Sequence, residues 1–222
     1  MISKTPYKVP IDFINEAAKS IPSKDFKFSL NEPTGNFFYD PWKLKDEFIG
    51  TVWEKIYNSL PMEKGEARII KLESGKSYVS HADIDDRWHL HIHGERCFLN
   101  DLDDLKMYPL MLDGVWYDMN AGKRHTASNF GNRDRYQLVI RHLLKKNRIV
   151  DPVNINLENK ENINVDDARF IFDDIISPWL NVANKSGNIS NFSYKNNKVS
   201  FVISEKVLNN FNSILPKEFK IL

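Results

Sequence analysis

The feature that most constrains the fold of this chain is a change of hydrophobic period. From about Lys64 to Lys146 the apolar residues fall in short runs, ARIIKL, SYVSH, WHLHIH, RCFL, LMLDG, VWYDM and YQLVIRHLL. Turn-forming stretches such as ESGK, DLDD, NAGK and FGNRD separate them. Side chains of a strand point alternately to its two faces, so this pattern predicts many short, evenly spaced strands, as in a jelly roll or another β-sandwich. The run Arg87–His93 is the most regular. Trp88, Leu90 and Ile92 share one face, and Arg87, His89, His91 and His93 share the other. The apolar face should pack under helices or against a second sheet. Four basic or titratable side chains on the opposite face suit a cavity that receives an acidic ligand.

The flanks read differently, which divides the chain at about 1–62, 63–147 and 148–222. In the first segment, Ile11–Ile21 has helical spacing and stops at Pro22, and Phe48–Tyr57 repeats the pattern up to Pro61. NEPTGNFFYDPW between them is turn-rich and aromatic, a loop. After Arg148, VDPVNINLENKENINV reads as an Asn-rich linker or irregular excursion. Helices over Asp166–Leu180 and Glu205–Leu215 then flank a hairpin over Asn191–Ser204, turning at Asn196-Asn197. The expected whole is mainly β, with helices of the N-terminal segment packed on a jelly-roll core and a small C-terminal α/β appendage.

Composition narrows the function classes. Lys+Arg 31 against Asp+Glu 30 gives a net charge of +1, so no strong field recruits nucleic acid or a membrane surface. The N-terminus MISKTPYKVPIDF lacks the apolar run of a signal peptide, and no stretch approaches ~20 apolar residues. A cytoplasmic protein is the expectation. The single cysteine, Cys97, excludes an intrachain disulfide and any cysteine-rich zinc site. A metal site must therefore be built from His, Asp and Glu.

Ser80-His81-Ala82-Asp83 offers the start of one. Residues two apart on a strand share a face, so His81 and Asp83 can converge on one ion, with His125 on a neighbouring strand as third ligand. Two imidazoles and a carboxylate on one side of an octahedral ion leave positions open, the arrangement of iron(II) oxygenases that bind a co-substrate and O₂. Ten residues after His125 stands Arg135, at the start of the apolar strand RYQLVI. In a jelly roll this strand is expected to run antiparallel beside the one bearing the distal histidine. An arginine buried there needs a carboxylate partner, and the far carboxylate of 2-oxoglutarate supplies one through two parallel hydrogen bonds.

Taken in order, these residues resemble the aspartyl/asparaginyl β-hydroxylase family of double-stranded β-helix oxygenases, which includes free-proline hydroxylases. The resemblance rests on Arg68-Ile69-Ile70-Lys71-Leu72-Glu73-Ser74-Gly75, His81-Ala82-Asp83, Arg87-Trp88-His89, Gly114-Val115-Trp116-Tyr117, His125 and Arg135 through Ile140. It implies iron(II) on His81, Asp83 and His125, 2-oxoglutarate on Arg135, and Arg87 with His89 beside the co-substrate. It also implies hydroxylation of an amino-acid side chain (Asp, Asn or Pro in a protein or peptide) or of a free amino acid, with release of succinate and CO₂. The chain departs from the family in continuing with His91 and His93. Arg68, Trp116, Tyr39 and Trp42 are further pocket candidates, each with an ordinary structural reading beside it. Two other classes stand open: a zinc or manganese cupin-like enzyme that needs no inward Arg135, and a catalytically silent jelly-roll binding module.

Overall fold

The computed structural model describes residues 2–83, 85–144, 152–159, 164–185, 187–195 and 198–222. Its elements in the first part are β1 (Ile2–Lys8), α1 (Ile11–Lys19), β2 (Lys27–Ser29), β3 (Asn31–Pro33), β4 (Trp42–Leu44) and α2 (Val52–Asn58). There follow β5 (Ala67–Leu72), β6 (Arg87–His93), β7 (Cys97–Asp101), β8 (Lys106–Pro109), β9 (Val115–Met119), β10 (His125–Asn129) and β11 (Arg135–Arg141). The chain divides into two compact units, one of residues 1–81 and 85–143, the other of 144–222 with the short stretch 82–84.

The first unit is a jelly-roll core of two sheets: a six-stranded sheet in the order β1-β9-β6-β11-β5-β2 and a three-stranded sheet in the order β10-β7-β8. β11 is buried at all seven positions, because it sits between β6 and β5 in the middle of the large sheet. Alternation then decides which side each residue serves. Trp88, Leu90 and Ile92 of β6, with Tyr136, Leu138 and Ile140 of β11, join one apolar cluster with Ile14 and Ala17 of α1 and Val52, Trp53, Ile56 and Tyr57 of α2. Each such side chain contributes about 1.5–3 kcal/mol by leaving water, and this is how the helices cover the large sheet. Thr51 starts α2, its hydroxyl accepting a bond from the Trp53 amide at 3.2 Å. A smaller cluster, including Leu72 and Met119 of the large sheet and Cys97, Leu99 and Ala127 of the small one, fills the space between the sheets.

Several expectations are corrected here. The sequence pattern offers no strand before Ile11, yet β1 extends the large sheet at its edge against β9. Its residues show no apolar run because only one side of an edge strand meets the core. Gly114 makes the join close: its φ is +71°, and a Cβ there would lie 2.1 Å from the Val9 carbonyl oxygen. SYVSH forms no continuous strand. The segment from Gly75 to His81 runs alongside β10, with bridges at Ser77 and His81 and pairing interrupted at Val79 and Ser80. The strand near LMLDG is Lys106–Pro109, just before it. β11 does not lie beside β10, since the chain crosses from the small sheet to the large one at the turn between them.

The second unit contains β12 (Pro152–Asn159), α3 (Val165–Ile171), α4 (Ser177–Lys185), β13 (Ile189–Lys195), β14 (Lys198–Ser204), α5 (Glu205–Ile214) and β15 (Phe219–Ile221). A short π-helical segment, Phe172–Ile176, joins α3 to α4. Its sheet has the order β13-β14-β12-β15. The Asn-rich stretch is therefore a strand rather than a linker over Pro152–Asn159. Ile155 and Leu157 are buried, and the asparagines at 154 and 156 alternate with them on the other face. The Asn196-Asn197 turn, and residues 150–151 and 160–163 of the stretch read as a linker, lie outside the described residues. Among the described residues, no helix is long and apolar enough to cross a membrane.

Candidate metal centre and its buried arginine

His81 and His125 face one another across a single antiparallel bridge, each amide donating to the other's carbonyl, at 3.0 and 2.8 Å. Their ring centroids are 4.4 Å apart. Both rings are held in the same way: His81 Nδ1 lies 2.8 Å from the Val79 carbonyl oxygen and His125 Nδ1 lies 2.8 Å from that of Lys123. A carbonyl can only accept, so each Nδ1 carries the proton and each Nε2 presents its lone pair. That is the tautomer a metal ligand requires.

Asp83 follows two residues after His81, past the end of the bridge. Because the backbone has left the ladder there, its side chain can turn towards the imidazoles. One ligand atom from each of His81, Asp83 and His125 lies within 4.8 Å of the others. Two neutral imidazoles and a carboxylate form a donor set that suits a divalent first-row metal. His81 is exposed, Asp83 half-buried and His125 buried, so the cluster opens to solvent on the His81 side.

The inward face of the large sheet is polar next to these ligands. In register, β6 sets His91 opposite Gln137, His89 opposite Val139 and Arg87 opposite Arg141. His89 is buried, and burial pushes its pKa well below the ordinary imidazole value. Nearby positive charge on Arg135 and Arg87, and the His125 ring, act in the same direction. Neither ring nitrogen makes a well-formed hydrogen bond, although Gln137 stands close enough to oppose the shift. His91 is lowered to about 4, chiefly by burial, and its Nε2 sits 3.0 Å from the Gly94 carbonyl oxygen. Both are neutral at pH 7. The even face is broken after His91 by a register shift in the β6–β11 pairing, and His93 is half-buried opposite Tyr136.

Arg135 is 1% exposed. One guanidinium nitrogen, Nη2, donates to the Gln137 side-chain oxygen, while Nε and Nη1 have no hydrogen-bond partner. Its guanidinium carbon lies 5.8 Å from the Tyr78 ring centroid. No carboxylate pairs with it among the described residues. Burial lowers its pKa from the ordinary arginine value, yet a guanidinium stays protonated in proteins. A buried cation without a counter-charge is costly. Gly94 makes room for it: a Cβ there would lie 3.0 Å from the Arg135 Cα and 3.1 Å from the Cys97 sulfur.

Arg87 is differently engaged. Its Nη2 lies 2.8 Å from a carboxylate oxygen of Asp85, whose other oxygen takes Arg141. Burial alone raises the Asp85 pKa, but Arg87 and Arg141 outweigh it and hold the carboxyl below its usual range. Sequence reasoning missed Asp85 and Arg141. The available signal was Arg141's place on the same alternating face as Arg135, six residues on. Of the other pocket candidates, Trp116 is fully buried in the helix-side cluster and donates through Nε1 to Ser59 at 2.9 Å. Trp42 donates to the Phe37 carbonyl, Arg68 pairs with Glu66 at 2.9 Å, and Tyr39 is half-buried in the loop before β4.

No family model matches the chain, and no curated protein matches it in sequence. Solved structures that resemble it include a cupin domain from Bordetella pertussis Tohama I, at 16% identity and a TM-score of 0.32, covering 37% of this chain and 84% of that one. A prolyl-4-hydroxylase from Pseudomonas putida aligns at 14% identity and a TM-score of 0.39, over 66% of this chain and 88% of that one. A DMSP lyase from Ruegeria pomeroyi aligns at 13% identity and a TM-score of 0.30, over 67% of this chain and 80% of its own.

Proposed function

We propose that this chain is an iron(II)- and 2-oxoglutarate-dependent oxygenase. In this reading it hydroxylates a C–H bond of an amino-acid side chain, in a protein or peptide or in a free amino acid, and releases succinate and CO₂. The observation that carries the reading is Arg135: a buried guanidinium on the strand face that also carries the pairing with His89, a residue close enough to feel both Arg135 and His125, with two nitrogens unused and no acid paired to it among the described residues. A dicarboxylate that chelates a metal at one end and needs a cation at the other fits that guanidinium together with the His-Asp-His cluster.

The metal and 2-oxoglutarate together supply the oxidising chemistry when bound. The residues of the chain do the rest. His81, Asp83 and His125 would hold the ion, with the two Nδ1–H groups fixed by the Val79 and Lys123 carbonyls. Arg135 binds the distal carboxylate, and Gln137 orients the guanidinium through its side-chain oxygen. His89, neutral and buried, borders the co-substrate without adding a charge. The apolar contacts of Leu72, Leu99 and Met119 between the sheets keep water from the interior.

The test is anaerobic loading with iron(II), addition of 2-oxoglutarate and air, and a screen of free amino acids and peptides for coupled succinate release. His81→Ala should abolish turnover. Arg135→Met should raise the 2-oxoglutarate requirement by about 10–100-fold, as expected for losing charge-assisted hydrogen bonds. Turnover unchanged in either variant overturns the assignment.

A further inference from the structure

We infer that Arg141, at the far end of the strand face that begins with Arg135, forms a second anion subsite that receives a carboxylate of the substrate. This rests on the oxygenase reading and adds to it the part of the site that selects what is oxidised. Arg135, Gln137, Val139 and Arg141 alternate along β11 and share one face. At about 3.3 Å per residue, the two arginines stand roughly 20 Å apart along the strand. His89 lies opposite Val139, between them, and is electrostatically coupled to Arg135, Arg87 and His125. His89, which feels the His125 ring, thus stands at the middle of this face, and an arginine stands at each end.

Arg141 is 3% exposed, yet its charge is only partly spent. Nε donates to Asp85, Nη2 lies at ion-pair distance from the same carboxylate without a hydrogen bond, and that single carboxylate also serves Arg87. Nη1 is buried and has no hydrogen-bond partner. The guanidinium carbon lies 4.4 Å from the Phe37 ring centroid and 4.9 Å from that of Phe38. Both rings belong to the loop before β4, and Phe37 is 42% exposed. They leave the guanidinium edge, rather than its face, to receive a ligand. An edge with an unused N–H is the part of an arginine that grips a planar carboxylate.

Arginine-selective isotope labelling of the full chain tests this by NMR, with guanidinium signals assigned from Arg135→Lys and Arg141→Lys. With 2-oxoglutarate saturating, propionate should move the Arg141 signals, and the neutral isostere propionamide should not. The double variant Phe37→Ala, Phe38→Ala should weaken propionate by about threefold, the scale of a lost cation–ring contact. It also identifies Arg141 by the change in ring-current shift should Arg141→Lys fail to fold. Arg141 signals that move no more with propionate than with chloride at equal ionic strength, or equally with propionamide, overturn the subsite. Tighter binding of inorganic phosphate than of propionate overturns its assignment to a carboxylate. Failure of the oxygenase reading looks different: 2-oxoglutarate would leave the Arg135 signals unmoved, whatever Arg141 does.

Discussion

Arg135 and Arg141 occupy opposite ends of one strand face and are equally buried, at 1% and 3% exposure. They differ in what balances them. Arg141 has Asp85, from the segment just before β6, and among the described residues Arg135 hydrogen-bonds to the neutral side chain of Gln137 alone. The difference teaches how to sort buried charges. One that shares a counter-ion is secured in the empty fold even where it can also take a ligand, whereas one without a counter-ion waits on a ligand for its counter-charge. Removing a partner from the first kind is destructive, and removing the second kind relieves the empty protein.

Four experiments bear on that contrast. The largest effect belongs to Asp85→Asn, which leaves Arg141 buried without an acid. A loss of about 3–5 kcal/mol is expected, read as a lower urea midpoint at unchanged slope. Histidine titration comes next. His91 has a folded pKa of about 4 against an ordinary 6.5, so the unfolded chain binds its proton more readily. Stability from this group is therefore complete above about pH 6.5 and falls away as pH drops towards 4, by up to roughly 3 kcal/mol. His91→Gln should flatten that slope, and an unchanged slope would show that other groups carry it. Arg135→Met should leave the ligand-free protein as stable as before or stabilise it by about 1 kcal/mol, because an uncompensated buried charge is gone. The same variant should lose the rise in melting temperature that 2-oxoglutarate and a divalent metal confer on the parent. Destabilisation comparable to that of Asp85→Asn would erase the distinction between the two arginines. The smallest effect is expected for Lys27→Met. Its pairing with Glu66 at 3.4 Å is half-exposed and worth under about 1 kcal/mol.

Much of the core was legible because it is written locally. Period-two alternation in Arg87–His93 and Arg135–Arg141 located the central strands and put Trp88, Leu90 and Ile92 on one apolar face; of the two coverings left open for that face, the helices are the one found. The His81, Asp83 and His125 cluster was reachable from spacing, since two ligands lie two residues apart and the third begins a strand. What escaped was set by partners distant in sequence. Ile2–Lys8 is a strand only because β9 offers it an edge, and nothing in ISKTPYK announces that. Asp85 looked like one of several acids in DIDDRW, and its value comes from an arginine 56 residues away. The Asn-rich stretch misled because its composition suggests solvent, while Ile155 and Leu157 supply the strand's buried side.

The bridge between His81 and His125 has a mechanical side as well. The segment Gly75–His81 follows β10 but loses its pairing at Val79 and Ser80, and Val79 is 85% exposed. Past His81 the ladder ends. An ion shared by His81, Asp83 and His125 would therefore act as a clasp on the end of a half-zipped strand, tying Asp83 down just beyond the last backbone bridge. Loading with metal should then slow protease cutting around Val79, and a chelator should restore it, before any co-substrate has been added.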